Sequence, residues 1–83
     1  MPPTRIDFEN ELNKQLNDAK NKGRKFEIII SRDLHEAVGG YPSSNHRMKT
    51  CCDVMRNRMD INDIILKQPR KGDGATLEIK YMI

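Results

Sequence analysis

The fold of this chain is decided by Ile30-Ser-Arg-Asp-Leu-His-Glu-Ala-Val-Gly-Gly40 and by the basic segment Asn45-His-Arg-Met-Lys-Thr-Cys-Cys-Asp-Val-Met-Arg-Asn-Arg58, with a Tyr-Pro-Ser-Ser turn between them. The first segment predicts a short helix from Arg32 to about Val38. Ser31 can cap this helix, and Gly39-Gly40 can end it because glycine supplies the positive φ that a sharp exit needs. A short helix, a turn and a longer basic helix therefore follow one another at the centre of the chain.

The longer helix is predicted to run from His46 to about Met59, with Ser44 or Asn45 as its cap. Its apolar residues recur at intervals of four, three and four positions, the spacing of one buried helix face. They are Met48, Cys52, Met55 and Met59, with Cys51 on the shoulder. At 100° per residue, the opposite face carries His46, Thr50, Asp53 and Asn57, flanked by Arg47, Lys49, Arg56 and Arg58. One face is suited to packing, and the other is polar and ringed by cations.

The residues before this centre predict one more helix and one strand. Thr4 followed by Asp7 resembles a capping box, and apolar residues then recur at helical spacing until Gly23, which ends an amphipathic helix of about five turns. The apolar residues are Phe8, Leu12, Leu16 and Ala19. The aromatic and β-branched run Phe26-Glu-Ile-Ile-Ile30 predicts a short strand that is buried on at least one face.

The residues after the centre predict an antiparallel hairpin. Ile64-Ile-Leu-Lys-Gln68 and Thr76-Leu-Glu-Ile-Lys-Tyr-Met-Ile83 resemble strands, and the basic, glycine-containing loop Pro69-Arg-Lys-Gly-Asp-Gly-Ala75 separates them. In the second strand, the residues expected to face the core are Leu77, Ile79, Tyr81 and Ile83. The predicted order is therefore helix, strand, helix, helix, strand, strand, in a single α+β domain of residues 1–83. In the short central helix, Leu34, Ala37 and Val38 are expected to face the same core.

Length and composition limit the classes of function. Eighty-three residues are enough for one domain, without room for a separate substrate domain. Lysine and arginine number 15 against 12 aspartate and glutamate, so the formal net charge of +3 mildly attracts polyanions such as nucleic acid. No stretch offers the roughly 20 apolar residues of a membrane span or the apolar core of a signal peptide. We therefore expect a cytoplasmic protein with no membrane partner, in which the adjacent Cys51 and Cys52 are reduced thiols.

Metal and catalytic sites are not expected. The four residues that could donate to zinc are His35, His46, Cys51 and Cys52. Adjacent cysteines cannot easily reach one tetrahedral ion, so we expect Cys52 in the core and His35 at the surface. His46 and Cys51 lie about 140° apart around the helix axis, too far for a paired base and nucleophile. The sequence therefore predicts neither an enzyme nor a cofactor.

The element order is similar to that of the winged helix-turn-helix superfamily, over about residues 4–83. The stretch 38–55 also looks like a segment of small prokaryotic proteins, a likeness that implies no activity. The superfamily resemblance implies a winged helix that binds double-stranded DNA, as a transcriptional regulator or an accessory DNA-binding factor. It places helix 46–59 in the major groove and the loop 69–75, as the wing, on the DNA backbone.

Carried over residue by residue, the resemblance implies two sets of DNA contacts. His46, Thr50, Asp53 and Asn57 are directed toward base edges, and Arg47, Lys49, Arg56, Arg70 and Lys71 toward phosphates. The chemistry is suitable, because Asn can bond adenine, Asp can accept from cytosine, and Arg and Lys release counterions from DNA. Two features depart from the pattern: the linker 39–45 is long, and the carboxylate of Asp53 opposes the phosphate field unless it pairs with Arg56 or Asn57.

A second hypothesis belongs to another class. Some winged-helix domains bind proteins, so this chain could instead be an interaction module in a larger nucleic-acid-processing complex. A homodimer is also open, because pairing two half-sites would lengthen the DNA site of so small a protein. A continuous positive surface favours DNA binding, whereas an exposed apolar patch favours a protein partner.

Overall fold

The computed structural model describes residues 2–41, 46–70 and 73–83. In this part of the chain, three helices and three strands follow in the predicted order, and the prediction of an α+β architecture is confirmed. The elements are α1 (Arg5–Asn21), β1 (Phe26–Ile30), α2 (Ser31–Val38), α3 (Met48–Arg58), β2 (Ile64–Lys67) and β3 (Glu78–Met82).

Helix α1 begins as its sequence predicts. The backbone N–H of Asp7 donates to Thr4 Oγ1 (3.3 Å), and the backbone N–H of Thr4 donates to Asp7 Oδ2 (2.8 Å), which completes the capping box. The helix ends at Asn21, shortly before Gly23. All four apolar residues predicted to face the core are buried, namely Phe8, Leu12, Leu16 and Ala19.

The three strands form one antiparallel sheet in the order β1-β3-β2. The hairpin prediction is therefore confirmed, and β3 is the central strand. Its inward residues Leu77, Ile79 and Tyr81 are buried, and Ile83 packs partly against the core. The pairing of β2 with β3 is irregular between Ile65 and Lys67. Both strands are shorter than predicted: β2 ends at Lys67, and β3 covers Glu78–Met82 rather than residues 76–83.

Helix α2 follows β1 without a loop, and two predictions for it are wrong. Ile30 is the N-cap, so Ser31 lies inside the helix. The Ser31 side chain is buried, and its hydroxyl donates to the carbonyl of Gly74 (2.7 Å). Ala37 is exposed rather than buried, because α2 turns Leu34 and His35 toward the core instead. The predicted end is confirmed, since Gly39 and Gly40 have φ angles of 110° and 80°.

Helix α3 begins at Met48, two positions later than predicted, with Arg47 as N-cap and no capping side chain of its own. The caps suggested by the sequence, Ser44 and Asn45, lie outside the described residues. The predicted apolar stripe is confirmed: Met48, Cys52 and Met55 are buried, and Met59 is half-buried. Cys51 and Val54 are buried as well, so the packed face is broader than one stripe.

The helices cover one face of the sheet, and the core lies between them. Residues from α1, α2, α3 and the inward sides of β1 and β3 form a single buried cluster. Tyr81 joins the two layers, because its buried hydroxyl donates to the carbonyl of Met55 (2.7 Å). Burial also raises the pKa of this phenol. The opposite face of the sheet carries no helix in the described part of the chain.

Candidate nucleic-acid interface

An ion pair attaches the loop between β2 and β3 to helix α3, near the C-terminal end of the helix. Arg56 Nη1 donates to Asp73 Oδ1 at 2.7 Å, and both side chains are about one-third exposed, at 29% and 33%. The carbonyl of Gly74 also accepts from Cys52 Sγ (3.4 Å) and from the Ser31 hydroxyl. The end of the predicted wing is therefore packed onto both α2 and α3.

Gly74 is needed at this junction for reasons of space. A Cβ atom added there would lie 2.9 Å from Pro69 Cβ, which is closer than two non-bonded carbon atoms approach each other. The glycine lets the two ends of the loop come together while its carbonyl reaches Cys52 and Ser31. Gly74 therefore allows the close approach of Pro69 and Gly74, near the two ends of the loop.

The pairings of the charges on α3 differ from those predicted. Arg56 was expected to face phosphates, but its guanidinium is committed to Asp73. Asp53 was predicted to be directed toward base edges, with a pairing to Arg56 or Asn57 as the alternative, but its carboxylate accepts from Lys49 Nζ at 3.1 Å, one helical turn earlier. This hydrogen bond and the attraction of the Asp53 carboxylate raise the pKa of Lys49. The negative charge on the predicted reading face is thus offset from within α3.

Three of the four residues predicted to face base edges, Thr50, Asp53 and Asn57, lie on one side of α3, whereas His46 lies outside the helix. His46 lies before α3, and its Nδ1 accepts the backbone N–H of Met48 (3.4 Å), so its placement on the helix is wrong. Thr50 is half-buried. Asn57 is exposed one turn after Asp53, and it also lines a groove between α3 and α1. A base-reading role for these residues is therefore weaker than their spacing suggests.

The exposed cations nevertheless lie where a polyanion can reach them. Arg47 and Lys49 are exposed at the start of α3, and Arg58 is exposed at its end, where Nε donates to Asn13 Oδ1 (3.2 Å). Arg70 is exposed in the loop that Asp73 fastens to α3. Lys71, the other loop cation predicted to contact phosphates, lies outside the described residues. The arrangement offers charge on both the helix and the adjoining loop.

A small groove between α1 and α3 was not anticipated from the sequence. It has a volume of about 230 Å³, and its lining is largely polar: Glu9, Asn10, Leu12, Asn13, Val54, Asn57 and Arg58. The carboxylate and the guanidinium in this lining give it no single sign of charge. Its two walls are about 45 residues apart in sequence, so a periodicity within one helix could not reveal it.

His35 is the clearest case of a polar residue that the sequence misplaced. It was expected at the surface, but its side chain is fully buried. Its Nε2 accepts the backbone N–H of Arg47 (2.9 Å), which serves the start of α3 where no side chain of α3 caps it. The ring packs edge-on against Phe8, with centroids 4.9 Å apart, and lies 5.2 Å from Tyr41. Nδ1 has no hydrogen-bond partner among the described residues.

The two cysteines are packed inside the domain as free thiols. Both are fully buried, and the prediction that Cys52 belongs to the core is confirmed. Burial raises the pKa of Cys51 to about 12 and raises that of Cys52 as well. Such thiols are poor nucleophiles at neutral pH, because little thiolate is present. Among the described residues, no three His, Cys, Asp or Glu side chains are grouped so as to hold a metal ion.

Comparisons with known proteins give this chain no relatives: no family model, no curated protein and no solved structure matches it. Within the described residues, no helix is both long enough and apolar enough to cross a membrane. Function must therefore be argued from the geometry of the chain itself.

The Arg56–Asp73 pair should couple more strongly than a surface pair. In a double-mutant cycle with Arg56→Gln and Asp73→Asn, we expect a coupling energy of about 1 kcal/mol in urea unfolding, because the pair is partly desolvated and short. The matched control is Arg5–Glu9 on α1, whose side chains are about half exposed and 3.3 Å apart. That pair should couple by about 0.3 kcal/mol. Equal coupling in the two cycles would show that the loop is not held by this contact.

Proposed function

We propose that this chain is a cytoplasmic winged-helix protein that binds double-stranded DNA, as a transcriptional regulator or an accessory DNA-binding factor. Helix α3 enters the major groove, and the wing, residues 69–75, lies on the DNA backbone. The observation that carries the proposal is the attachment of the wing to α3 through Arg56 and Asp73, which brings together the two elements that such a domain applies to DNA.

The order of elements and the sheet order β1-β3-β2 support the same proposal, because they create a helical layer that ends in a hairpin beside α3. Phosphate contacts come from the exposed cations Arg47, Lys49 and Arg70, with Lys71 added from the sequence pattern. Arg56 is reassigned from a phosphate contact to a brace for the wing. Asp53 is tolerated near the phosphates because Lys49 offsets its charge.

Binding should depend more on phosphates than on bases. His46 lies outside α3, Thr50 is half-buried and Asp53 is paired with Lys49, so few side chains remain to distinguish base pairs. Phosphate contacts carry no sequence information of their own. We therefore propose moderate affinity and limited sequence preference for one copy of the chain.

Fluorescence anisotropy with a mixed-sequence DNA duplex tests the proposal. We expect micromolar binding at about 50 mM salt, weakening by about 40- to 150-fold at 200 mM, which corresponds to three or four neutralised phosphates. Arg70→Gln should weaken binding to every duplex and reduce the logarithmic salt slope by about 1. The matched control is Lys22→Gln, which removes an exposed cation at the end of α1, outside α3 and the wing. No binding at low salt, or equal losses in both variants, would contradict the proposal.

A second candidate is favoured by one observation on the opposite side of the molecule. The sheet exposes large apolar side chains, among them Ile28, Ile64, Leu66 and Met82. Contiguous apolar surface marks interaction sites more often than solvated surface. The alternative is therefore a winged-helix protein–protein interaction module within a nucleic-acid-processing complex. Absence of DNA binding at low salt, with this surface engaged by a protein, would favour it.

A further inference from the structure

The helix-free face of the sheet is unusually apolar for a surface that contacts water. Side chains alternate between the two faces along each strand. Because Ile29 and its register partner Ile79 are buried against the core, the residues on either side of them in β1 and β3 lie on the outer face. The outer residues are Phe26, Ile28 and Ile30 from β1, Glu78, Lys80 and Met82 from β3, and Ile64 and Lys67 from β2. Ile28, Ile64 and Met82 are 40%, 55% and 45% exposed. We refer to these eight residues as the outer sheet face.

The charges on this face have a fixed arrangement. Glu78 and Lys80 are two positions apart on the central strand, and both are half-buried. Ile30 and Lys67 are the register partners of Glu78, and Ile28 and Ile64 are those of Lys80. Lys80 Nζ lies 4.4 Å from the centroid of the Phe26 ring, which holds the ammonium close to the surface of the sheet. Glu78 thus has Lys80 beside it on the central strand and the exposed Lys67 across from it on the edge strand β2.

The free edge of β1 is less suited to association than its face. The Ile83 N–H donates to the Lys25 carbonyl, and the Ser31 N–H donates to the Leu77 carbonyl. The backbone groups of the odd-numbered residues of β1 therefore point toward β3. Phe26 and Ile28 therefore direct their backbone groups to the open edge. There, the Ile28 N–H donates to Glu27 Oε1 (3.3 Å), and the Phe26 carbonyl accepts from Arg24 Nε (3.3 Å). These local hydrogen bonds oppose the addition of another strand.

We propose that the outer sheet face binds a second copy of this chain in a twofold dimer, with the two β3 strands antiparallel and Glu78 of each copy opposite Lys80 of the other. A twofold interface requires that each contact occur twice with the roles exchanged. A rotation axis that crosses β3 between Glu78 and Lys80 meets this requirement. The same rotation places Ile28 of one copy opposite Ile30 of the other.

The charges also reject the alternative twofold arrangement. An axis parallel to the strands would place Lys80 opposite Lys80 and Glu78 opposite Glu78, and like charges at an interface are costly. The antiparallel arrangement instead pairs opposite charges and lets the aliphatic part of the Lys80 side chain cover apolar surface. The contacts between residues 78 and 80 therefore favour an identical copy in the antiparallel orientation, in which the exposed Lys67 lies at the rim opposite Ile64 of the other copy.

The size of the face limits the strength of the dimer. Five residues of strand span about 17 Å, and three strands span about 15 Å, so the face is smaller than the roughly 800 Å² that each partner contributes to a stable interface. The dimer should therefore be weak, and its population should rise with concentration.

Sedimentation equilibrium without DNA tests the proposal independently of the proposed function. The mean mass of the wild-type protein should rise from 9.6 kDa toward twice that value as the concentration approaches about 1 mM. Glu78→Lys and Lys80→Glu should each remain monomeric, because each places like charges in contact. An equimolar mixture of the two variants should dimerise again, since every 78–80 contact then joins opposite charges. Lys22→Glu, an equal charge reversal outside the face, should sediment as the wild type does.

Recovery in the mixture distinguishes a lost interface from a lost fold, because unfolded variants cannot restore each other. A wild-type protein that stays monomeric throughout would overturn the proposal and leave the outer sheet face to a different partner. A wild-type dimer that persists in both charge reversals, or variants that remain monomeric when mixed, would overturn it too. A dimer that persists in both charge reversals would place the interface on another surface.

Discussion

Replacing Phe8 with alanine is expected to lower the free energy of unfolding by about 3–5 kcal/mol. Phe8 is fully buried, and its ring meets the buried ring of His35 edge-on, which joins α1 to α2. The substitution loses the transfer free energy of the ring and leaves a cavity that the rigid neighbours fill only in part. A domain of this length has a total stability of only about 4–12 kcal/mol. Urea unfolding followed by circular dichroism should show a variant that is barely folded.

Ile6→Ala is the matched control for this prediction. Ile6 lies in the first turn of the same helix, but 63% of its surface is exposed, so the truncation should cost less than about 0.5 kcal/mol. Helix propensity even favours alanine over isoleucine at such a position. A cost below about 1 kcal/mol for Phe8→Ala, or similar costs for both variants, would contradict the packing of α1 against α2.

Raising the pH above 9 is expected to destabilise the domain through its buried thiols. The ordinary pKa of cysteine is 9.0, and burial raises the pKa of Cys51 to about 12 in the folded state. Between these values the unfolded chain releases a proton that the folded chain keeps, so unfolding becomes easier as the pH rises. The loss should approach about 1.4 kcal/mol per pH unit for this thiol and reach a few kcal/mol by pH 11. Cys52 and Tyr81, whose pKa values burial also raises, should add to the loss.

Urea unfolding at pH 7, 9, 10 and 11 under reducing conditions measures this effect. Cys51→Ala should be less stable than the wild type at pH 7 because it leaves a cavity, but it should lose less stability between pH 9 and 11. The changed pH slope separates ionisation from packing, because a cavity alone would lower the stability equally at every pH. Parallel curves for the two proteins would show that the thiolate of Cys51 is accommodated in the folded state.

Most of the secondary structure could be predicted from local patterns. The Thr4–Asp7 capping box, the four-residue spacing from Phe8 to Leu16 and the alternation from Leu77 to Tyr81 each express an interaction between near neighbours. Near neighbours in sequence are near in space whatever the rest of the chain does, so the helix start, the helix face and the strand face were predicted correctly. The hairpin followed from the same alternation on both sides of a glycine-containing loop.

The candidate interface was only partly predictable, because its charges are arranged by contacts between distant residues. The cations at the start of α3 and in the loop were expected on the polar side of the molecule. Those that the structure describes, Arg47, Lys49 and Arg70, are exposed. Arg56 was not recognised as a brace, because its partner Asp73 is 17 residues away and arrives only when the hairpin folds back. Helical spacing alone could have suggested the pairing of Lys49 with Asp53.

By itself, the sequence determined where the elements lie, which apolar faces they bury and that the domain is α+β, because those features arise from spacings of two to four residues. Only the tertiary structure decided the fate of the isolated polar groups. His35 is buried because the N–H of Arg47, 12 residues later, needs an acceptor, and Ser31 is buried because the Gly74 carbonyl, 43 residues later, lies beside it. The physical reason is that a polar side chain can be buried wherever a distant backbone group satisfies it, and no local pattern records that partner.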